Sequence, residues 1–264
     1  MDRDTHTPSR ALGVGNHVGG ALFVLEDAAL DGPANMARDE ALLHCDALRP
    51  AVLRLYAWSP PTISLGYFQR FEQLGGLEPE LRALDVVRRT TGGGAILHDR
   101  EVTYCLVLDD RVPIARQAPA ELYRVCHRCW SAAVALSGLR TELAPDSAPL
   151  PSPRSGPFFC FQTPGRTDLL LGAEKVLGSA QRRIPGRVLQ HGSLILGRRF
   201  AGHPGGRLND PPLETVQLWI GAFVAELGAA LGLTPRRAAW PADALADADA
   251  RRARYASEAW TRRR

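Results

Sequence analysis

Residues 160–193 read Cys-Phe-Gln-Thr-Pro-Gly-Arg-Thr-Asp-Leu-Leu-Leu-Gly-Ala-Glu-Lys-Val-Leu-Gly-Ser-Ala-Gln-Arg-Arg to Arg183, then Ile184 to Gln190, then His191-Gly192-Ser193. Lys175 in this stretch is the only lysine of the chain; the remaining 31 of the 32 basic residues are arginine. A chain that uses arginine everywhere else and keeps one lysine points to a task for a compact ammonium on a flexible stem, which a planar guanidinium cannot perform. Chance survival under compositional bias is the plainer reading. The surroundings weigh against it: Leu169-Leu170-Leu171 and Val176-Leu177 flank the lysine, with Gly172 and Gly178 on either side, as in a hairpin entering a core. A lysine there is either an edge residue whose stem snorkels or a site residue, and the site reading is preferred.

Cys160 opens the same stretch. It follows a proline-rich loop, residues 144–157, and Phe158-Phe159, and it precedes Phe161, which sets a thiol among aromatic rings. Proline-rich segments of this length stay out of sheets, and long loops inside domains usually carry binding function. A thiol near an ammonium is favoured as the thiolate and becomes a competent nucleophile. On the residues alone, a buried structural cysteine is an equal alternative.

The composition bounds the rest. At 264 residues with 45% hydrophobic and 23% charged residues, the chain is an ordinary globular one, long enough to bury a sizeable core. No apolar run approaches the ~20 residues that span a bilayer, so no membrane is expected. Met1 to Arg10 is polar with no apolar core behind it, and a cytoplasmic location is the expectation. Five cysteines at scattered positions argue against a disulfide framework. A net charge of +4 is too mild to imply nucleic acid, though it suits acidic protein partners.

Residues 1–18 read as a disordered tail, 19–233 as one domain, and 234–264 as an Ala/Arg-rich tail with helical character from Ala242. Within the domain, Ala21–Leu25 is a short apolar run. Asn35–Leu43 reads as a helix with Asn35 as its N-cap and Pro33 just before it. Strands are expected at Ala51–Trp58, Thr62–Gly66, Val86–Arg89, Ala95–Asp99, Glu101–Leu108 and Arg187–Leu196, with a short helix at Pro79–Ala83. Helical periodicity covers Pro119–Gly138 and Pro212–Gly232, each ended by its glycine. Strands and helices are mixed rather than strictly alternating, which predicts an α+β (α/β) domain with a mixed β-sheet.

Arg88-Arg89-Thr90-Thr91-Gly92-Gly93-Gly94 is either a strand ending in a flexible turn or a loop whose backbone N–H groups approach a ligand. In the second case the arginines could hold a phosphate or carboxylate. No Gly-Lys-Ser/Thr follows, so it is not a P-loop. Cys126-His127-Arg128-Cys129 resembles half a zinc site but lies in a helical pattern with no second pair at finger spacing; no metal is expected. Cys45 and Cys105 read as core. His98 and His191 each end an apolar run, as histidines bonded to backbone or as candidate bases.

Taken together, these segments resemble the lipoate/biotin protein-ligase superfamily, and within it the cysteine-dependent octanoyltransferases of lipoate assembly, the LipM-like group. The matching stretches are Asn35–Leu43, Thr62–Gln69, Arg88–Leu108 and Cys160–Leu196. The block His98–Tyr104, the Cys-Phe pair, Lys175-x-x-Gly178-Ser179-Ala180-Gln181 and Gln190-His191-Gly192-Ser193 are similar to the transferase version. Gly94 stands where the transferases often have arginine, and Cys105 where they often have serine. The resemblance implies a mixed β-sheet flanked by helices, the biotin/lipoate protein ligase catalytic-domain (class II synthetase-like) fold. It implies Cys160 and Lys175 as the catalytic pair. As substrate-binding residues it implies the acyl loop Arg88, Arg89, Thr91, Gly92 and Gly93, joined by Gly94, His98, Gly178, Ser179, Ala180, Gln181 and His191.

The implied reaction passes an octanoyl (or lipoyl) group from acyl carrier protein to Cys160. From there the group moves to a specific lysine of a lipoyl domain or glycine-cleavage H protein. Lys175 would stabilise the oxyanion, a contribution of ~3–4 kcal/mol for such a donor. Arg182, Arg183 and Arg187 either meet acidic partner surfaces or form a solvated face. No cofactor is expected, and the protein is expected to be a monomer. ATP and Mg enter only under the alternative of an ATP-dependent lipoate ligase, or drop out entirely for a non-catalytic acyl-binding module. The ligases usually need an accessory C-terminal domain, and the roughly thirty residues after Leu233 are too few to bury a core.

Overall fold

The computed structural model describes residues 19–148 and 156–263. The expected disordered tail, 1–18, and residues 149–155 of the proline-rich loop lie outside the described residues. The chain begins β1 (Ala21–Glu26), α1 (Gly32–His44), β2 (Ala51–Tyr56) and β3 (Thr62–Leu65). A short helix α2 (Pro79–Arg82) precedes β4 (Asp85–Arg88), β5 (Ile96–His98) and β6 (Glu101–Asp109). Helix α3 (Pro119–Ala135) leads to β7 (Thr141–Leu143), β8 (Leu169–Leu171), β9 (Glu174–Ile184) and β10 (Arg187–Ile195). The chain closes with α4 (Leu213–Leu231), β11 (Thr234–Arg237), α5 (Ala242–Ala256) and α6 (Glu258–Thr261).

Eight strands form one mixed sheet in the order β11-β1-β2-β6-β10-β9-β8-β7, parallel only at β11-β1-β2. Period-two alternation divides its central strands between two cores. Leu53 and Leu55 of β2 and Tyr104, Leu106 and Leu108 of β6 turn toward α3 and α4. Val52, Tyr56, Cys105 and Val107 turn the other way, toward α1 and Tyr255 of α5. Burial on both faces explains why these strands read as continuous apolar runs.

A second sheet, β4-β3-β5, packs Ile63, Leu65 and Leu97 around Phe159 and carries the glycine loop between β4 and β5. It therefore joins the acyl-loop candidate to the segment that delivers Cys160. The expected hairpin around Lys175 is β8-β9, turned at Gly172, whose φ of 61° lies in the left-handed region that glycine favours.

Two boundaries depart from the sequence reading. Helix α1 starts three residues early: Asp31, not Asn35, caps it by accepting from Ala34 N at 2.8 Å, with Pro33 inside the first turn. Asn35 is instead a buried brace, donating to Leu30 O at 3.0 Å and Ala57 O at 3.1 Å. The Ala/Arg-rich segment from 234 is also built into the fold. β11 extends the sheet in parallel with β1, and α5 packs on α1, where Tyr255 donates to Glu40 Oε2 at 3.0 Å.

Candidate active site

The arginines of the glycine loop face inward. Arg88 donates to the carbonyls of Gly66, Gln69 and Thr261, at 2.9, 2.7 and 2.7 Å, and Trp260 Nε1 donates back to Arg88 O at 2.9 Å. Arg89 donates to Ser64 O and Ser64 Oγ, both at 2.7 Å, to Gly92 O at 3.0 Å and to Gly94 O at 2.9 Å. Both guanidinium forks thus hold main chain in place, the role that the alternative of a strand ending in a turn allows them. Five donors in a fixed plane suit the gathering of several carbonyls from one loop.

The glycines serve close approach between chain segments. A Cβ on Gly94 would lie 3.0 Å from Cys160 N and 3.2 Å from Phe158 O. That proximity lets Cys160 N donate to Ala95 O at 2.8 Å and Ala95 N to Phe158 O at 2.9 Å. Gly93 has φ 90°, and its carbonyl presses against Gly66, where a Cβ would come within 1.9 Å. A Cβ on Gly92 would meet nothing within 4 Å, and Gly93 beside it is exposed, so the loop turns these two residues outward.

Cys160 and Lys175 meet. Lys175 Nζ lies 3.2 Å from Cys160 Sγ, 3.3 Å from Cys160 O and 2.8 Å from Asp168 Oδ2, with the Phe161 ring centroid at 4.8 Å. The lysine is only 3% exposed, whereas Cys160 is half-buried. Burial works against the ammonium charge, but the charges at Cys160 and Asp168 override it and hold the lysine above its ordinary pKa. Asp168 is itself oriented by Gly165 N, which donates to Oδ2 at 2.7 Å. Sequence reasoning gave Asp168 no role. A usable signal existed, since it is the only carboxylate between Cys160 and the hairpin turn at Gly172.

Two features of β9 aim the lysine. Leu169 pairs with Leu177 but Leu170 pairs with Lys175, so Val176 is an extra residue that re-aims its neighbours. A Cβ on Gly178 would sit 2.3 Å from Lys175 Cε and 2.5 Å from Nζ. Glycine at 178 is therefore the room for the lysine head. Gly178→Ala is expected to fold, because residue 178 has ordinary strand geometry. It should displace the ammonium and lower the turnover of the site at least about tenfold, a rise of about 1.4 kcal/mol or more in the barrier. Circular dichroism beside a rate measurement checks it, and an unchanged rate would disprove the spacing argument.

Two hydroxyl–histidine–carboxylate chains flank Arg89, which donates from Nε to Thr91 Oγ1 at 3.3 Å and from Nη1 to Ser64 Oγ at 2.7 Å. Thr91 Oγ1 and His191 Nε2 are 2.7 Å apart, and His191 Nδ1 is 3.0 Å from Asp39, which also accepts from Arg54 at 2.7 Å and Tyr56 OH at 2.9 Å. Ser64 Oγ and His98 Nε2 are 2.7 Å apart, and His98 Nδ1 is 2.7 Å from Glu101 Oε1. The backbone partners expected for these histidines are replaced by side chains. Burial depresses the His98 pKa against the opposing pull of Glu101, so its neutral form is favoured. Burial pushes the Asp39 carboxyl up, but His191 and Arg54 outweigh it and hold it ionised.

These chains border a narrow cavity with room for about one water-sized sphere (about 10 Å³), lined by Met36, Tyr56, Trp58, His98 and His191 and by the β9–β10 residues Ala180, Gly192 and Ser193, with Arg89, Ile96 and Thr103 completing it; an acyl chain enters it by displacing these side chains. Many of these are polar residues, yet their polar atoms bond one another. Trp58 Nε1 donates to Thr103 Oγ1 at 2.9 Å, and Ser193 Oγ donates to Glu101 at 2.9 Å. What they turn to the cavity is ring faces and aliphatic stems. Such a wall solvates a hydrocarbon chain and offers nothing to a charge. Ile96 connects it to the site, because Cys160 packs on the cluster of Ile96, Phe161 and Ile195.

The other expected residues sort by role. Ala180 lines the cavity opposite His191. Ser179 Oγ lies 2.8 Å from Tyr104 OH and 2.7 Å from His127 Nε2, in a position made possible by Gly192. Gln181 donates to Gln190 Oε1 at 2.8 Å and Pro119 O at 2.9 Å, bracing the sheet away from the cavity. Arg182, Arg183 and Arg187 donate to the carbonyls of Thr90, Ala115 and Leu43, which ties the supposed solvated face to the protein's own main chain. Cys105, Cys126 and Cys129 are buried in the cores, and burial raises all three thiol pKa values, that of Cys129 to about 12. Among the described residues, no group of three or more His, Cys, Asp or Glu is placed to hold a metal.

With that geometry in view, comparisons with known proteins are informative. A family model described as the lipoyl protein ligase A/B catalytic domain matches residues 31–200. The chain is 41% identical over 170 residues to the octanoyltransferase LipM of Geobacillus kaustophilus, covering 61% of this chain and 60% of that protein. It is 41% identical over 182 residues to the LipM of Moorella thermoacetica, covering 66% and 64%. The match thus spans about three fifths of the length of these curated relatives. Among solved structures, a bi-partite lipoate protein ligase with its E2 lipoyl domain from Thermoplasma acidophilum superposes with a TM-score of 0.68 at 17% identity. That superposition covers 93% of this chain and 97% of that one, a likeness of fold.

Proposed function

The chain belongs to the lipoyl protein ligase A/B catalytic-domain family, and from that premise we propose that it is a cysteine acyltransferase of the octanoyltransferase kind. It takes an octanoyl (or lipoyl) group from acyl carrier protein and delivers it to a specific lysine of a lipoyl domain or glycine-cleavage H protein. The observation that carries this reading is the 3.2 Å approach of Lys175 Nζ to Cys160 Sγ beside an apolar cavity.

Cys160 thiolate attacks the donor's thioester carbonyl, forming a new C–S bond and an oxyanion. Lys175, held as an ammonium by Asp168, donates to that oxygen. Collapse breaks the bond to the carrier, whose thiolate takes up a proton from water. The acceptor's neutral lysine amine then attacks the Cys160 thioester. Its nitrogen loses a proton, the amide forms, and the Cys160 thiolate is released. The hydrocarbon chain lies in the cavity throughout.

Thioester exchange is nearly isoenergetic and amide formation from a thioester is downhill, so the route calls for no ATP. No helix among the described residues is long and apolar enough to cross a membrane. The proposed action is on carrier proteins in the cytoplasm, by a monomer. Incubation with octanoyl-acyl carrier protein and an apo-acceptor, without ATP, is expected to add one octanoyl mass to the acceptor. Transfer that requires ATP and free octanoate would replace this reading with a ligase.

A further inference from the structure

The cavity has two ends of different character. At one, Ile96 belongs to the cluster on which Cys160 packs. At the other, Met36, Tyr56 and Trp58 belong to the core beneath α1, with Cys105, Val107 and Leu189. A chain whose carbonyl sits at the sulfur therefore points its methyl end toward α1.

The walls near that end are fixed. Tyr56 OH is tied to Asp39 at 2.9 Å, and Trp58 is tied to Thr103 and stacked on His98 with centroids 3.7 Å apart. Helix α1 cannot slide, because Asn35 and Asp39 are bonded to Arg54 at 2.7 Å each. Met36 remains, a buried side chain with no polar tether and an unbranched thioether that adapts to an irregular gap.

We infer that Met36 is the residue that sets the longest acyl chain the protein accepts, by closing the α1 end of the cavity. The inference rests on the transfer reading for the identity of the ligand, but not for its geometry. Truncating Met36 to alanine removes about three heavy atoms and leaves space for about two methylenes. Each buried methylene contributes about 0.8 kcal/mol, or roughly fourfold in affinity. Met36→Ala should therefore raise the preference for decanoyl over octanoyl by about tenfold. Met36→Trp should shift preference toward hexanoyl, and the volume-conserving Met36→Leu should keep the wild-type profile.

The profile is measured in two ways on the full-length protein. One is the intact mass of the adduct on Cys160 after exposure to acyl-coenzyme A thioesters of six to twelve carbons. The other is calorimetric Kd for the free saturated fatty acids of the same lengths. A shift of both profiles in the stated directions supports the inference. Identical profiles in all variants overturn it, as does a parallel loss of every length in Met36→Ala. A shifted binding profile with no adduct on Cys160 in the wild type keeps the role of Met36 and overturns the transfer reading instead. No binding and no adduct at any length overturn both.

Discussion

Cys160→Ala is expected to abolish acyl transfer while leaving the fold intact. The main-chain bond from Cys160 N to Ala95 O does not involve the sulfur, and the side chain is only half-buried. Stability should therefore change by no more than about 1 kcal/mol. Lys175 keeps its pairing with Asp168 at 2.8 Å, so no buried charge is stranded by the loss. What disappears is the thiol 3.2 Å from the ammonium. Losing a nucleophile usually lowers turnover by ~10³-fold or more, with any residual rate coming from binding and oxyanion stabilisation. The check is acceptor acylation by mass spectrometry, together with the wild-type protein quenched in acid to trap one octanoyl group on Cys160. Full activity in the alanine variant would remove the covalent intermediate from the mechanism.

Lys175→Arg is the second large effect. Charge alone would make the substitution mild, because arginine keeps a cation near Asp168. Shape makes it severe. The lysine head fits a gap where a single Cβ on Gly178 would come within 2.5 Å of Nζ. A planar guanidinium is wider than an ammonium and cannot occupy that gap in the same orientation. The expected result is a folded protein with kcat reduced about 10²–10³-fold and KM little changed, the size of the loss when one oxyanion donor is removed. Lys175→Met separates the two factors. It leaves the Asp168 carboxylate, 11% exposed, without its cation, so Tm should fall along with activity. Near-normal turnover in the arginine variant would show that the ammonium has no part in stabilising the oxyanion.

Much of the architecture was legible because burial imposes periodicity. The strand around Glu101–Leu108 follows from its β-prone apolar run, and the helix ended by Gly232, with φ 67°, from its 3.6-residue pattern and glycine's tolerance of the left-handed region. The α1 boundary misled because Asp31 and Asn35 are both good caps, and only tertiary contacts decide between them. Asn35 is needed inside, against Leu30, Ala57 and Arg54. The Ala/Arg-rich segment carries too little apolar patterning to announce its packing. Its anchors are single residues, Tyr255 in the α1 core and Thr261 O at the Arg88 fork.

The same divide runs through the site. The lone lysine, the cysteine behind a proline-rich loop and the glycine run were visible as residue types out of proportion to their surroundings, and chemistry gave them candidate roles. Sequence alone thus determined the principal strands and helices of the domain, though not β7 or β11, and which side chains could react. Only the folded chain decided that Arg88 and Arg89 donate to distant carbonyls, that Asp168 pairs with the ammonium, and that Met36 lines the cavity. The physical reason is that periodicity is written along the chain, whereas a hydrogen-bond partner or a cavity wall comes from segments far apart in it. Arg88 reaches across 173 positions to Thr261, and no local spacing encodes such a contact.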